Sequence, residues 1–316
     1  MSHPVRLFGS HSLQLQAVQP ATSQGYRSAF ERFETYVFRV LGVQLRSVNC
    51  PILMDEYLNQ YLLAVYEEFD GAMMHLGVRA IPGVLQEMGF QWNSAFPNSR
   101  RTLKGWEKKH PPKSALPLPA SYVDLAALVL VLSGAPRVGA GLLIAFEGFL
   151  RVSELCALTS SDILLPSSLL STTTTCGLRL GRTKTGRNQF VFISDPTVIQ
   201  LLHQLHASTA PNAKLFPGMT PSKFNAALKW ATRVLGITEH YTMHSLRHGR
   251  ATAAFLAHVH PDVIRRAGRW SSLHSMETYL QGVTAFLLQT TTPPPLIPLL
   301  KLHTTVHKLL PMFCRG

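Results

Sequence analysis

Apolar residues recur at helical spacing through most of the chain. Residues 1–20 show no clear period, and after them Thr22 or Ser23 is placed to cap a helix. Its inward stripe is Tyr26, Phe30, Phe33, Val37 and Val40, and Gly42 supplies a stop. Similar patterns run from about Met54 to Phe69, from Ala72 to Met88 and between Asn98 and Lys109. They predict a small all-helical, four-helix-like domain over residues 21–110. The segment KKHPPKSALPLPAS, residues 108–121, then breaks the period, because its prolines forbid a continuous helix. Residues 111–120 read as an extended interdomain linker whose positive charges suit solvent and a DNA backbone equally well.

Beyond the linker, two apolar helices (Tyr122 to Leu132, Val138 to Phe149) lead to Arg151, followed by a short helix with Glu154 and Leu155. The period then changes to two. Leu178, Leu180 and Gln189 to Ile193 flank Thr183 to Arg187, the pattern of a β-hairpin turning on Lys184, Thr185 and Gly186. Helices resume at Asp195 to His206, Pro221 to Leu235, Ser245 to Ala257, Pro261 to Ala267 and Ser272 to Leu280. The fold class is therefore mainly α, with a second domain over residues 121–289 that is mixed α/β: mostly helical with a small antiparallel sheet. Residues 290–316, repetitive and interrupted by proline, read as a low-complexity tail that is disordered or packs only on a partner.

Composition narrows the function classes. The 316 residues, 46% hydrophobic, are enough for two buried cores. The 30 Lys and Arg against 17 Asp and Glu give a net charge of +13, which favours a polyanionic partner. An anionic membrane is the rival, but spanning one takes about 20 apolar residues. The best stretch, Leu125 to Ala135, is interrupted by Pro136 and Arg137, and reads as a buried helix. The N-terminal MSHPVRLFGSHS has no secretory pattern, so the expectation is a chain that is not secreted. Four cysteines without a CxxC pair suit a reduced compartment, and no zinc ribbon is expected. His244 and His248 are spaced like a metal pair, but no HExxH glutamate accompanies them.

One short unit needs weighing against chance. With 14 His and about 20 Arg, roughly one HxxR arises at random, and the chain holds two. His3 to Arg6 lies in the aperiodic terminus. His244 to Arg247 opens a predicted helix, in MHSLRHGRATAAFLA, and is followed by AGRWSSLHSMETYL with Trp270 and Tyr279. Upstream stand Arg151 and Glu154 in FEGFLRVSELCALTSSDI, and Lys184 in the hairpin RTKTGRNQFVFI. Singly, Arg151 reads as a surface or capping residue, Lys184 as solvated, Trp270, Tyr279 and His248 as core. The joint order Arg, Lys, HxxR, Trp, Tyr outweighs those readings.

In that order the chain resembles the tyrosine recombinase (phage integrase) family, over about residues 121–285 and more loosely over 21–110. FLRVSEL, HSLRHGRAT and GRWSS look most similar to recombinases of eukaryotic mobile elements, the DIRS-like and Crypton groups. The resemblance implies a core-binding domain and a catalytic domain of the DNA breaking and rejoining type. It also implies double-stranded DNA as substrate and a homotetramer on two DNA sites. It places the nucleophile at Tyr279, phosphate binding at Arg151 and Arg247, proton acceptance or hydrogen bonding at His244, and leaving-group protonation at Lys184. Trp270 would donate an indole N–H to the phosphate, and Glu154 would orient an arginine or the histidine. No cofactor or metal is implied. A free phenol has a pKa of about 10, so the tyrosine must be activated by its neighbours. The expected location is the nucleus for a eukaryotic chain and the cytoplasm otherwise. One departure stands out: many bacterial relatives have glycine two residues before the first arginine, where this chain has Phe149. A type IB topoisomerase, a non-catalytic DNA-binding descendant and a metal-dependent hydrolase on His244 and His248 remain the alternatives.

Overall fold

Prolines that would break a helix interior start many of these helices instead. Those opening at Pro51, Pro97, Pro136, Pro196, Pro221 and Pro261 carry the ring in the first turn, where the missing N–H has no intrahelical partner to lose. The computed structural model describes residues 20–70, 73–88, 96–110, 115–166, 175–183, 186–277, 279–280 and 296–314. The chain divides into two units, Met1–Lys113 and Ser114–Gly316.

The first unit is helical: α1 (Pro20–Tyr36), α2 (Pro51–Glu68), α3 (Met74–Met88) and α4 (Pro97–Lys109). Phe30, Phe33, Leu58, Leu62, Val84 and Trp106 form its core. The chain leaves α1 through a π-helical turn, Val37–Leu41, and Gly42 ends it at φ +67°. The expected cap at Thr22 or Ser23 is corrected: both lie within α1, and the Ser23 hydroxyl instead donates to Gln86 Oε1 at 2.9 Å.

In the second unit, α5 (Ala120–Leu132), apolar on almost every face, is buried against α6 (Pro136–Glu147). Then come α7 (Val152–Ala157), β1 (Ile163–Leu164), β2 (Cys176–Thr183) and β3 (Gly186–Ile193), an antiparallel sheet in the order β1-β2-β3. Cys176 pairs with Ile193 and Thr183 with Gly186, so Gly186 belongs to β3 rather than to the turn. Lys184 and Thr185 lie outside the described residues. The remaining helices are α8 (Pro196–Ala207), α9 (Pro221–Val234), α10 (Met243–Leu256), α11 (Pro261–Gly268), α12 (Leu273–Glu277), α13 (Ile297–Lys301) and α14 (His303–Phe313).

Two expectations change. Residues 115–119 of the proposed linker are part of the second unit. Leu118 is fully buried and its N–H donates to Ser245 O at 3.0 Å, an approach that only Gly249 permits, since a Cβ there would lie 1.9 Å from Leu118 O. The described part of the C-terminal tail is helical and docks on α5 and α8 of its own unit, with Leu296 and Leu310 in the core. Its prolines misled the sequence reading because Pro298 sits in the first turn of α13 and Pro311 in the last turn of α14.

Candidate active site

Three of the proposed residues, Arg151, Trp270 and Tyr279, stand at element ends, and Glu154, His244 and Arg247 lie within helices. Phe149, φ +49°, follows α6 in the left-handed region and turns the chain so that Arg151 precedes α7. On α10 the Thr242 N–H donates to Ser245 Oγ at 3.1 Å. The i, i+3, i+4 spacing then sets His244, Arg247 and His248 on one face. Helix α11 stops at Arg269, also left-handed at φ +59°, which swings Trp270 back across Gly268. A Cβ on Gly268 would lie 1.7 Å from the indole ring. Tyr279 lies just beyond α12, which ends before the expected Leu280, and its N–H donates to Met276 O at 2.8 Å.

Two arginines hold one carboxylate, and a third lies near them. Glu154 Oε1 accepts from Arg151 Nη1 at 2.8 Å, and Oε2 accepts from Arg269 Nη2 at 2.6 Å and from the Arg151 N–H at 2.9 Å. Glu154 is therefore placed against arginines and not against a histidine. Arg247 is 1% exposed and donates through both Nη atoms, to the carbonyls of Phe149 and Gly268. Its guanidinium carbon lies 4.4 Å from the Trp270 ring centre. Burial, reinforced by the positive charges of Arg151 and Arg269, lowers the Arg247 pKa to about 10, so it stays charged at neutral pH. Burial likewise lowers Arg269, against the raising effect of Glu154.

The half-buried Tyr279 ring packs against a small apolar cluster that includes Ala251 and Met276, and three aromatic rings lie close to it. His248 stacks on it at 4.2 Å and 23°, His244 meets it edge-on at 5.3 Å, and Trp270 lies at 4.8 Å. Burial, then the neighbouring His244 and Arg247, push His248 down to about 4, so its ring is neutral against the phenol at pH 7. His244 and His248 stand 4.9 Å apart, and among the described residues no group of three His, Cys, Asp or Glu side chains is arranged to hold a metal.

Arg151, Glu154, His244, Arg247, Trp270 and Tyr279 thus meet in one region, and Lys184 lies outside the described residues. Sequence reasoning missed Arg269 and the part played by Phe149. A basic residue after a helix-terminal glycine reads as an ordinary C-terminal cation, and nothing in the sequence marks a non-glycine residue with positive φ. Among the described residues, Arg247 Nε, Arg269 Nε and Nη1 and Trp270 Nε1 are buried donors without an acceptor. Unpaired buried donors are costly unless an acceptor arrives.

The fold and the family are shared with known proteins. The fold is similar to the XerH site-specific recombinase bound to palindromic difH substrate, at a TM-score of 0.57 and 15% identity over 85% of this chain and 78% of that one. It is also similar to the Tn1549 transposon integrase in complex with transposon right end DNA, at 0.54 and 14% over 89% and 98%. No curated protein matches by sequence. The model of the phage integrase family matches residues 127–284, half of the chain, which takes in all six of the residues gathered at the site, Tyr279 among them, and the chain belongs to that family, the tyrosine recombinases.

Proposed function

We propose that the chain is a site-specific DNA recombinase of mobile-element origin that cuts and rejoins DNA through a 3′-phosphotyrosine bond at Tyr279. The observation that supports this most is the convergence of buried, acceptorless N–H donors from Arg247, Arg269 and Trp270 beside one half-buried phenol. A phosphodiester undergoing attack gathers negative charge on its non-bridging oxygens, and guanidinium forks suit that charge. Tyr279 Oη would attack the phosphorus, the bond to the 5′ oxygen would break, and Lys184 would give that oxygen a proton. His244 would take up the phenolic proton and then hydrogen-bond the phosphate. Attack by a 5′ hydroxyl on the phosphotyrosine reverses the step. Because the ester conserves the energy of the broken bond, this scheme calls on no nucleotide or metal. Both units would engage DNA, in a homotetramer holding two duplexes.

The test uses nicked suicide duplexes of randomised sequence, with covalent protein–DNA adduct read on a denaturing gel. Wild type should form the adduct. Tyr279→Phe should bind DNA and form none, and Arg247→Ala should lower the rate by about 100-fold or more through lost charge stabilisation. Undiminished adduct in the phenylalanine variant rejects the nucleophile. Nicking without any adduct, abolished by a chelator, favours the metal-dependent hydrolase.

A further inference from the structure

Among the described residues, Arg269 is the guanidinium that touches both halves of the arginine system. Its Nη2 holds Glu154 Oε2 at 2.6 Å, and the other oxygen of that carboxylate holds Arg151. The same Nη2 reaches the Phe149 carbonyl at the longer distance of 3.4 Å, and that carbonyl is also an acceptor for Arg247. We propose that Arg269 is a positioning residue, which locks the Arg151 and Arg247 forks into one arrangement through Glu154 and the Phe149 carbonyl. The proposal rests on the recombinase reading of the site.

Packing alone does not account for an arginine here. The side chain is only 6% exposed, and its backbone takes a left-handed conformation that glycine adopts more readily at a helix end. It adds a second guanidinium, itself buried, to a carboxylate that Arg151 already holds, and an apolar residue would avoid that desolvation. What a guanidinium provides, and neither glycine nor lysine can, is a rigid planar group of fixed reach. Without it, Glu154 Oε2 keeps only the Arg151 N–H, and the carboxylate is free to rotate and carry the Arg151 side chain with it. A displacement of about 1 Å in a positioned group can cost about 100-fold in rate.

The experiment compares the full-length wild type with Arg269→Lys and Arg269→Gly. Lysine keeps the charge, and glycine suits the backbone, so at least one variant remains folded by thermal melting. Adduct formation on the randomised nicked duplexes should fall about 10- to 100-fold in both. DNA affinity in the lysine variant should stay near wild type, and millimolar methylguanidinium should partly restore Arg269→Gly. In parallel, the Arg151 Nε–H resonance, identified by its disappearance in Arg151→Lys, should broaden or shift in Arg269→Gly. Unchanged adduct rates, or an Arg151 resonance identical to wild type, would overturn the proposal. If wild type forms no adduct, the recombinase reading fails, and the resonance still decides whether Arg269 holds Arg151.

Discussion

At the scale of single residues, Phe149 shows two opposed effects whose sizes can be compared. Holding an L residue at φ +49° costs about 1–2 kcal/mol, and glycine would remove that cost. The buried ring, however, packs edge-on against Trp270 at 6.0 Å and lies 5.4 Å from the Arg250 guanidinium. Losing a buried phenylalanine costs about 3–5 kcal/mol. Packing wins, which explains why a bulky residue can stand at this left-handed position. Phe149→Gly should therefore destabilise the 114–316 unit by about 2–3 kcal/mol net, measured by calorimetry on the full chain. Equal or greater stability would show that backbone strain dominates instead. The position also shows a limit of sequence reading, since a phenylalanine after Gly148 looks like the end of α6 and gives no sign that its carbonyl anchors an arginine 98 residues away.

Among elements, some helix ends are secured by a side chain from a distant helix. Phe96, the residue before α4, offers no side-chain cap, yet Asp55 from α2 accepts from the N–H groups of Asn98 and Ser99, both at 2.9 Å, and from the Ser99 hydroxyl at 2.6 Å. Asp55 is buried, so loss of its carboxylate leaves the Asn98 and Ser99 N–H groups unpaired, while the Ser99 hydroxyl keeps the Asp55 backbone carbonyl. Asp55→Ala should destabilise the first unit by about 1–3 kcal/mol in urea unfolding followed by circular dichroism, and Asp55→Asn, which keeps one acceptor oxygen, by less. An alanine variant as stable as wild type would mean water replaces the carboxylate at no cost. The same contrast separates what could be read in the sequence from what could not. Helices α2 to α11 and the β2-β3 hairpin carry their periodicity in local spacing. The pairing of Asp55 with α4, β1 with β2, and Glu154 with Arg269 depends on contacts between distant positions. The HxxR spacing and the downstream Trp and Tyr marked most of the site because those residues lie on or next to one helix pair, whereas the Arg269 link needs a left-handed turn that only the backbone reveals.

Across the whole chain, the C-terminal helix returns to the start of the second unit, and a histidine secures it there. His307 Nδ1 lies 2.7 Å from Asp124 Oδ1 on α5 and its Nε2 lies 3.0 Å from Asp195 Oδ1 at the cap of α8, while His303 lies 3.2 Å from Asp124 Oδ2. With a carboxylate at each ring nitrogen, both nitrogens must donate, and the ring is held as imidazolium. Burial opposes that charge, but the hydrogen bonds and charges of Asp124 and Asp195 outweigh it and raise the pKa to about 10. A histidine raised in the folded state stabilises fully below its unfolded value of about 6.5, and that contribution disappears as pH rises through the folded value. His307→Gln, which keeps a hydrogen-bonding side chain and loses the charge, should therefore melt below wild type at pH 6, by an amount on the order of 1–3 kcal/mol. The gap should shrink steadily toward pH 10. Glu147, Arg250 and Lys308 line the same cavity and are present in both proteins, so their own titration largely cancels in the difference. A gap that stays constant or widens with pH would mean that α14 is held by Leu310 and its apolar neighbours, with the ion pair contributing nothing.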